Sequence, residues 1–449
     1  MKHLLHIFLA LFFLFFSPPH AYGETDVTIR VGLASNITQA DFRVIEGEFS
    51  LIDAATGLPI GIPQQGEKWT VRKEGLNIKV SVEGIDIEVP CFGPLLLIPQ
   101  DSSSKQHIFR YLNVQYRDSL IFQNETNGLL VVNNVDIEKY LYGVVGKEIG
   151  YFAPTEALKA QAIVSRSYAL SSKGRNTRYD VGIDTNTQVY GGYDAELLPG
   201  AERVKQAVDE TKGLVIYYKN QLVKAFFHAN AGGYTENSEN VWLEELPYLK
   251  AIESPYDRYA LTYPNQTSSG WPANSYEWDF SYSRQDLANK ITEWNNKNSN
   301  KIDIGTLTDL KVFKTQSNSN QDTLSSRVTR LDFIGSSGQK SITKDTIRSV
   351  LGLKSALFNL NFDSTIYILN EYGESTFITS AGQLNAIGEG SLVSPLNGNE
   401  DNYNIVGLGT KENVPKIFQN VKVTGKGHGH GVGMSQWGAQ GMAEAGYKY

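Results

Sequence analysis

Four stretches of the chain hold most of the residues able to do chemistry. The first runs Tyr140-Leu-Tyr-Gly-Val-Val-Gly-Lys-Glu148 and is followed by Gln161, Arg166 and Tyr168. The second is Asp184-Thr-Asn-Thr-Gln188-Val-Tyr190-Gly-Gly192. The third opens on Phe227-His228, continues through Tyr234, Thr235, Glu236 and Asn237, and closes on Val241-Trp242. The fourth is Gly427-His428-Gly429-His430-Gly431-Val432-Gly433, running on through Met434, Ser435, Gln436 and Trp437. Glu148 is the leading candidate for proton transfer. Asp136 can cap a helix whose apolar positions Ile137, Leu141, Val144 and Val145 share a face, which puts Glu148 near its C-terminal end. The helix dipole disfavours an anion there. Ile149, Tyr151 and Phe152 can desolvate the group, so it should keep its proton near neutral pH, although Lys147 would oppose this if its ammonium came close. Glu156 is the opposite case. It falls in the first turn of a second helix opened by Pro154, where the dipole stabilises a carboxylate and makes it a poor proton donor. Glu236 and Glu239 are weaker alternatives.

Gln161 and Arg166 share that second helix with the stripe Leu158, Ala162, Ser165 and Ala169. Each can either bond ligand oxygens or tie the helix to its neighbour. Tyr190 and Tyr234 can stack on the apolar face of a ring-shaped ligand or serve as plain packing. His228, His428 and His430 invite a metal reading. If His428 and His430 lay on a strand, both side chains would point to one face. No thiol accompanies them, because the sole cysteine is Cys91, so no metal and no cofactor is expected. The alternating glycines of the fourth stretch do not form G-x-G-x-x-G and follow no βαβ unit, which dismisses dinucleotide binding. Gly433-Met-Ser435-Gln-Trp437 lacks the second glycine of a nucleophile elbow. Ser102 and Lys105 form an S-x-x-K pair, but in a turn.

Taken together and in order, the four stretches closely resemble the SpoIID/LytB family of stage II sporulation protein D and the amidase-enhancer proteins. The resemblance runs from about residue 133 to the end. It implies an exported lytic transglycosylase that cleaves the bond from N-acetylmuramic acid to N-acetylglucosamine in peptide-stripped peptidoglycan, leaving 1,6-anhydro ends, in a sporulation or engulfment setting. The family's catalytic acid falls on Glu148. Gln161, Arg166, Tyr190, Tyr234, His430 and Gln436 are carried as substrate-binding candidates. His430 matches a glycine-flanked histidine of the family, whereas His428 stands where an aromatic is commoner. Some relatives hold a metal with Cys beside a His in the third stretch, which Ala229, Asn230 and Ala231 do not reproduce. The implied partners are glycan strands and, for a non-catalytic enhancer, a cell-wall amidase. A muramidase that hydrolyses with water would need a second carboxylate, with Glu156 or Glu236 as candidates. The chain ends at Tyr449, inside what the family continues as a further helix, so either that helix is lost or the sequence is truncated.

The elements that must position these residues are mixed. Residues 27–97 alternate with period two between turns, as in Val27-Thr-Ile-Arg-Val and Ile78-Lys-Val-Ser-Val, and read as a small all-β module. The helix pair follows. Strands return from Leu214 to Phe227 around a Lys219-Asn220 turn, residues 271–362 mix helix and strand, and 363–426 read as β with long loops. The expected fold is α+β, with antiparallel β modules around a helix pair. Its expected division is a signal peptide at 1–23, a β-rich module at 24–105 and a catalytic region at 106–449, with its motif core at 133–242 and its closing motif at 425–446. The apolar run Leu4–Phe16, followed by Pro18, Pro19 and Ala21-Tyr22-Gly23, reads as a secretory signal cleaved after Gly23. The run is shorter than a spanning helix, and membrane attachment is expected only if it stays uncleaved. With 41 basic against 48 acidic residues the net charge is −7. That balance, without basic clusters, excludes nucleic-acid binding.

Overall fold

The computed structural model describes residues 27–100, 106–242, 244–262, 275–369, 372–378, 385–387, 393–395, 401–406 and 411–449. The segment expected to be a signal peptide lies outside them, as does the Ser102/Lys105 pair. Among the described residues, no helix is long and apolar enough to cross a membrane.

Twelve strands occupy the first part: β1 (Thr28–Ile37), β2 (Gln39–Glu46), β3 (Phe49–Asp53), β4 (Pro59–Gly61), β5 (Trp69–Glu74), β6 (Asn77–Val82), β7 (Ile85–Asp86), β8 (Leu95–Pro99), β9 (Ile108–Tyr111), β10 (Val114–Arg117), β11 (Ser119–Glu125) and β12 (Gly128–Asp136). They form two six-stranded sheets, β1-β12-β11-β8-β3-β4 and β10-β9-β2-β5-β6-β7. Alternation decides which face is buried: Ile29, Val31 and Leu33 of β1 and Ala40, Phe42 and Val44 of β2 all point into the core.

The sheets do not divide at residue 105. β8 pairs with β11, β2 pairs with β9, and β12 returns beside β1 with Thr28 opposite Asp136. The expected module at 24–105 is therefore only part of each sheet. Without β9–β12 the backbone groups of β1, β2 and β8 would present unpaired edges.

β12 runs directly into α1 (Ile137–Ile149). The Asp136 carboxylate caps it by accepting from the N–H groups of Glu138 and Lys139 at 2.9 and 3.1 Å. Two further helices follow, α2 (Thr155–Ser172) and α3 (Ala201–Glu210). Leu141, Val144, Leu158, Ala162 and Val204 join Val31, Phe42 and Val131 in one apolar core. The α+β expectation is borne out, with antiparallel sheets packed against the helix pair.

Two sequence-derived ligand candidates belong to this core instead. Arg166 is 1% exposed, and its Nε and Nη2 donate to the two oxygens of Glu138 at 2.9 and 2.6 Å. Its Nη1 donates to the carbonyl of Leu214 at 3.0 Å. It ties α2 to α1 and is closed off from solvent. Tyr190 is buried against Tyr140, ring centroids 5.0 Å apart, and its hydroxyl donates to Asn133 Oδ1 at 3.0 Å. Gly143 makes this contact feasible, because a Cβ there would lie 2.6 Å from the Tyr190 ring.

The later part adds α4 (Ser238–Val241), α5 (Arg284–Lys297) and α6 (Thr346–Leu351). A sheet of Leu307–Phe313, Arg330–Gly335 and Gly338–Thr343 and a second of Glu277–Ser283, Asn420–Lys426 and Phe358–Phe362 accompany them. They enclose a separate core containing Leu287, Leu331, Phe333, Ile347 and Phe418. The chain returns through the glycine-rich fourth stretch to α7 (Gln436–Glu444). Met434–Ser435 pairs in parallel with Phe227–His228, which joins the third and fourth stretches.

Removing one partner of a buried ion pair leaves the other charge uncompensated. Arg166→Ala should therefore cost about 3–5 kcal/mol in denaturant unfolding. A variant as stable as the parent would return Arg166 to the ligand candidates.

Candidate active site

Glu148 lies in the last turn of α1, half-buried at one wall of a groove of about 670 Å³. Its Oε1 accepts the N–H of Val189 at 2.6 Å, so the second stretch meets the first through backbone. Burial pushes the carboxyl up from its ordinary 4.5 to about 7, against the stabilising hydrogen bonds from Val189 and Gln436. The dipole argument and the burial argument therefore act in the same direction. Phe152, expected to help exclude water, is instead exposed. The aromatic neighbours whose hydroxyls feel the Glu148 charge are Tyr140 and Tyr168.

The end of α1 is closed by α7. Gln436 Nε2 donates to the Glu148 carbonyl at 3.0 Å and Gln440 Nε2 to the Ile149 carbonyl at 3.3 Å. These satisfy carbonyls that a helix end leaves unpaired. Gln161 sits behind them, fully buried. It accepts from Gln436 at 3.3 Å and donates to Ser165 Oγ at 2.9 Å. Gln436 lines the groove; Gln161 does not, and acts by orienting Gln436.

The floor is Phe226, Phe227, His228 and Ala229, with His428, Gly429 and His430 beside them. The His428-x-His430 segment is a loop rather than a strand. Its glycines adopt positive φ, and a Cβ on Gly431 (φ 83°) would collide with the Arg327 guanidinium at 2.5 Å. His430 is locked by backbone. Its Nδ1 accepts the Val432 N–H at 3.1 Å, and the ring also bonds the backbone of Phe227. Burial holds it at about 4, so it is neutral and contributes a ring face, 4.8 Å from Trp242. His428 is likewise pushed down to about 4, by burial and then by Lys354 and Arg348. His228 lies well below its ordinary value, by burial and its His430 and Arg327 neighbours, and its Nδ1–H donates to Val432 O at 3.1 Å. Among the described residues no three His, Cys, Asp or Glu side chains converge as a metal site.

Tyr234 does not reach the groove; its hydroxyl donates to Glu253 at 3.0 Å. Glu236 is buried with Ser325 and Asn240, Glu239 pairs with Lys250, and Glu156 is held low, with Lys159 and the Tyr449 N–H beside it. None lines the groove. The groove's third wall is formed by Trp242, which closes the third stretch, and by Asp345 and Arg348, which the sequence reading missed. An acid and an arginine three apart look like any surface helix pair, so no local pattern could have singled them out.

The raised Glu148 carboxyl makes a signed prediction. Its contribution to folded stability is complete below pH 4.5 and is lost as pH rises to about 7, a shift worth about 3 kcal/mol. Glu148→Gln removes the titration while its amide oxygen can still accept from Val189. The variant should match wild type at pH 4 and exceed it by up to about 3 kcal/mol at pH 8. A stability difference independent of pH would refute the buried, protonated state.

Residues 125–218 match a family model described as Stage II sporulation protein, SpoIID, and residues 236–380 match one described as a domain of unknown function. An uncharacterised protein of Brachyspira hyodysenteriae is 27% identical over 75% of this chain and 69% of its own length. The amidase enhancer of Bacillus subtilis is 28% identical over 69% of this chain, but over only 38% of the enhancer. Stage II sporulation protein D of the same organism is 32% identical over 29% of this chain and 42% of its own length. The chain thus covers less than half of the amidase enhancer and of the sporulation protein, while the matched region carries Glu148, Val189 and the helix pair that holds them. Over that region it is similar to stage II sporulation protein D and the amidase enhancer.

Proposed function

We propose that the protein acts on the bacterial cell wall as a lytic transglycosylase, with Glu148 as its catalytic acid and base. The observation that carries this is a carboxyl, raised to about 7, at the wall of an aromatic-lined groove. Cleavage begins when Glu148 gives its proton to the glycosidic oxygen as the bond from C1 of N-acetylmuramic acid breaks. The 6-hydroxyl of the same sugar then attacks C1 and passes its proton to the Glu148 carboxylate. The acid is regenerated and a 1,6-anhydro end is left. One group performs both transfers, and its pKa near the working pH suits both. Trp242, Phe226 and the His430 ring offer apolar faces for pyranose stacking.

Two other readings have specific support. Hydrolysis by two carboxylates gains a candidate in Asp345, the other carboxylate among the described groove residues, in place of Glu156 and Glu236. A relative named amidase enhancer supports a role as partner of a cell-wall amidase. Peptide-free glycan strands incubated with wild type should give 1,6-anhydro-muramyl ends by mass spectrometry. Glu148→Gln should lose about 10²–10⁴ in rate while still binding glycan. Reducing ends would mean hydrolysis, a variant that cuts as fast as wild type would move the chemistry off Glu148, and a wild type that cuts no glycan would leave the enhancer role. Since the acid must be protonated, the wild-type rate should fall about tenfold per pH unit above roughly 7. A rate that holds steady to pH 9 would count against Glu148 as the donor.

Export is part of the same proposal and rests on the N-terminal pattern. Secreted protein should begin at Glu24; material beginning at Met1 and held in membranes would indicate an anchor instead.

A further inference from the structure

The unit matched as a domain of unknown function, residues 236–380, supplies most of the second apolar core, which Phe418, Val421 and Val423 complete. It also reaches the groove. Trp242, Asp345 and Arg348 all come from it and line the same space as Glu148. Their placement is fixed by bonds inside this unit and by bonds from it to the third and fourth stretches. Arg327 Nη2 donates to the Ala231 carbonyl at 2.7 Å and lies against Gly431. Lys344 Nζ donates to the carbonyl of Glu239 at 2.8 Å and to that of Trp242. The Gly429 N–H donates to the Lys354 carbonyl at 2.8 Å.

Arg348 is only partly used by the protein. Its Nε and Nη2 donate to the two oxygens of Asp345 at 3.0 and 2.9 Å, which sets the plane of the guanidinium. Its Nη1 has no partner among the described residues, and the side chain remains 28% exposed. The positive charge is felt across the groove by His428 and His430. The groove is lined by two cations, Lys147 and Arg348, and two carboxyls, Glu148 and Asp345, of which Asp345 is already committed to Arg348. This is an anion-favouring corner in a chain of net charge −7. Guanidinium suits a carboxylate because its N–H groups are directional and permanently charged.

We infer that the 236–380 unit completes the substrate groove and that Arg348 is its receptor for a ligand carboxylate. On the muramyl-glycan reading above, on which this rests, that carboxylate is the free lactyl group of N-acetylmuramic acid after its peptide is removed. A lactyl group still in amide linkage has no charge to offer. Arg348 is then a specificity residue that selects stripped strands, while Glu148 does the chemistry.

The test uses the full-length protein and a muramic-acid-containing tetrasaccharide in two forms, one with free lactyl carboxylates and one with them converted to methylamides. Wild type should bind the free acid about 10–100-fold more tightly by calorimetry, the range expected for one or two charge-assisted hydrogen bonds. Arg348→Ala should abolish that preference by weakening the acid form alone, and Arg348→Lys should keep part of it. Raising the salt should shrink the preference. Glu148→Gln should retain it, since it lacks only the chemistry. Equal binding of both forms by wild type would overturn the inference. So would equal weakening of both forms in Arg348→Ala with a lowered melting temperature, which marks a structural role. If wild type shows the preference yet cuts no glycan, the carboxylate site stands and the transglycosylase reading fails. If wild type binds neither form, both fall.

Discussion

A carboxyl group that can hold or release a proton near neutral pH must be kept partly out of water without being left unpaired. Glu148 meets that demand at the end of α1, and much of the structure around it follows from the demand. The Val189 N–H fixes one oxygen. Gln436 bonds both its carboxyl and its main-chain carbonyl, and Gln161 orients Gln436. A charged neighbour in place of these neutral donors would have pulled the pKa back towards its ordinary value. The helix itself starts without slack from β12, with Asp136 as both the last residue of the strand and the cap. The position of Glu148 is thus set by a sheet in which β12, buried on both faces, pairs with β1.

The groove is a junction of segments far apart in sequence, and small backbone devices make the junction. Parallel pairing of Phe227–His228 with Met434–Ser435 brings the third and fourth stretches together. Positive-φ glycines let the loop carrying His428 and His430 turn tightly enough to rest on Arg327. The histidines are therefore framework. Backbone groups lock His430, burial keeps all three neutral, and they shape the floor without acting as acids.

Some of this was legible in the sequence. Period-two runs fix the strands and their buried faces, and the cap at Asp136 with the apolar stripe fixes α1 and hence the depth of Glu148 along it. The Lys219-Asn220 turn appears as a two-residue hairpin with both residues at positive φ. These features depend on neighbours within about a turn or a hairpin. The boundary expected at residue 105 failed because strand pairing is non-local. A Ser-rich connection looks like a linker whether or not the strands on either side share a sheet.

The sequence by itself determined which residue types stand ready: a carboxyl at a helix end, a glycine-spaced histidine loop, and polar side chains on an adjacent helix. Only the tertiary structure decided their use. Arg166 and Tyr190 carry the same chemistry as surface binders, but packing closed them into the core, where their donors satisfy Glu138 and Asn133. Arg348 and Asp345 resemble an ordinary helix pair until a second core, folded from residues about 200 positions beyond Glu148, sets them facing the same groove. Local composition fixes what a side chain can donate or accept. Which partner it meets depends on contacts between distant segments, and those are set by the burial and pairing of the whole chain.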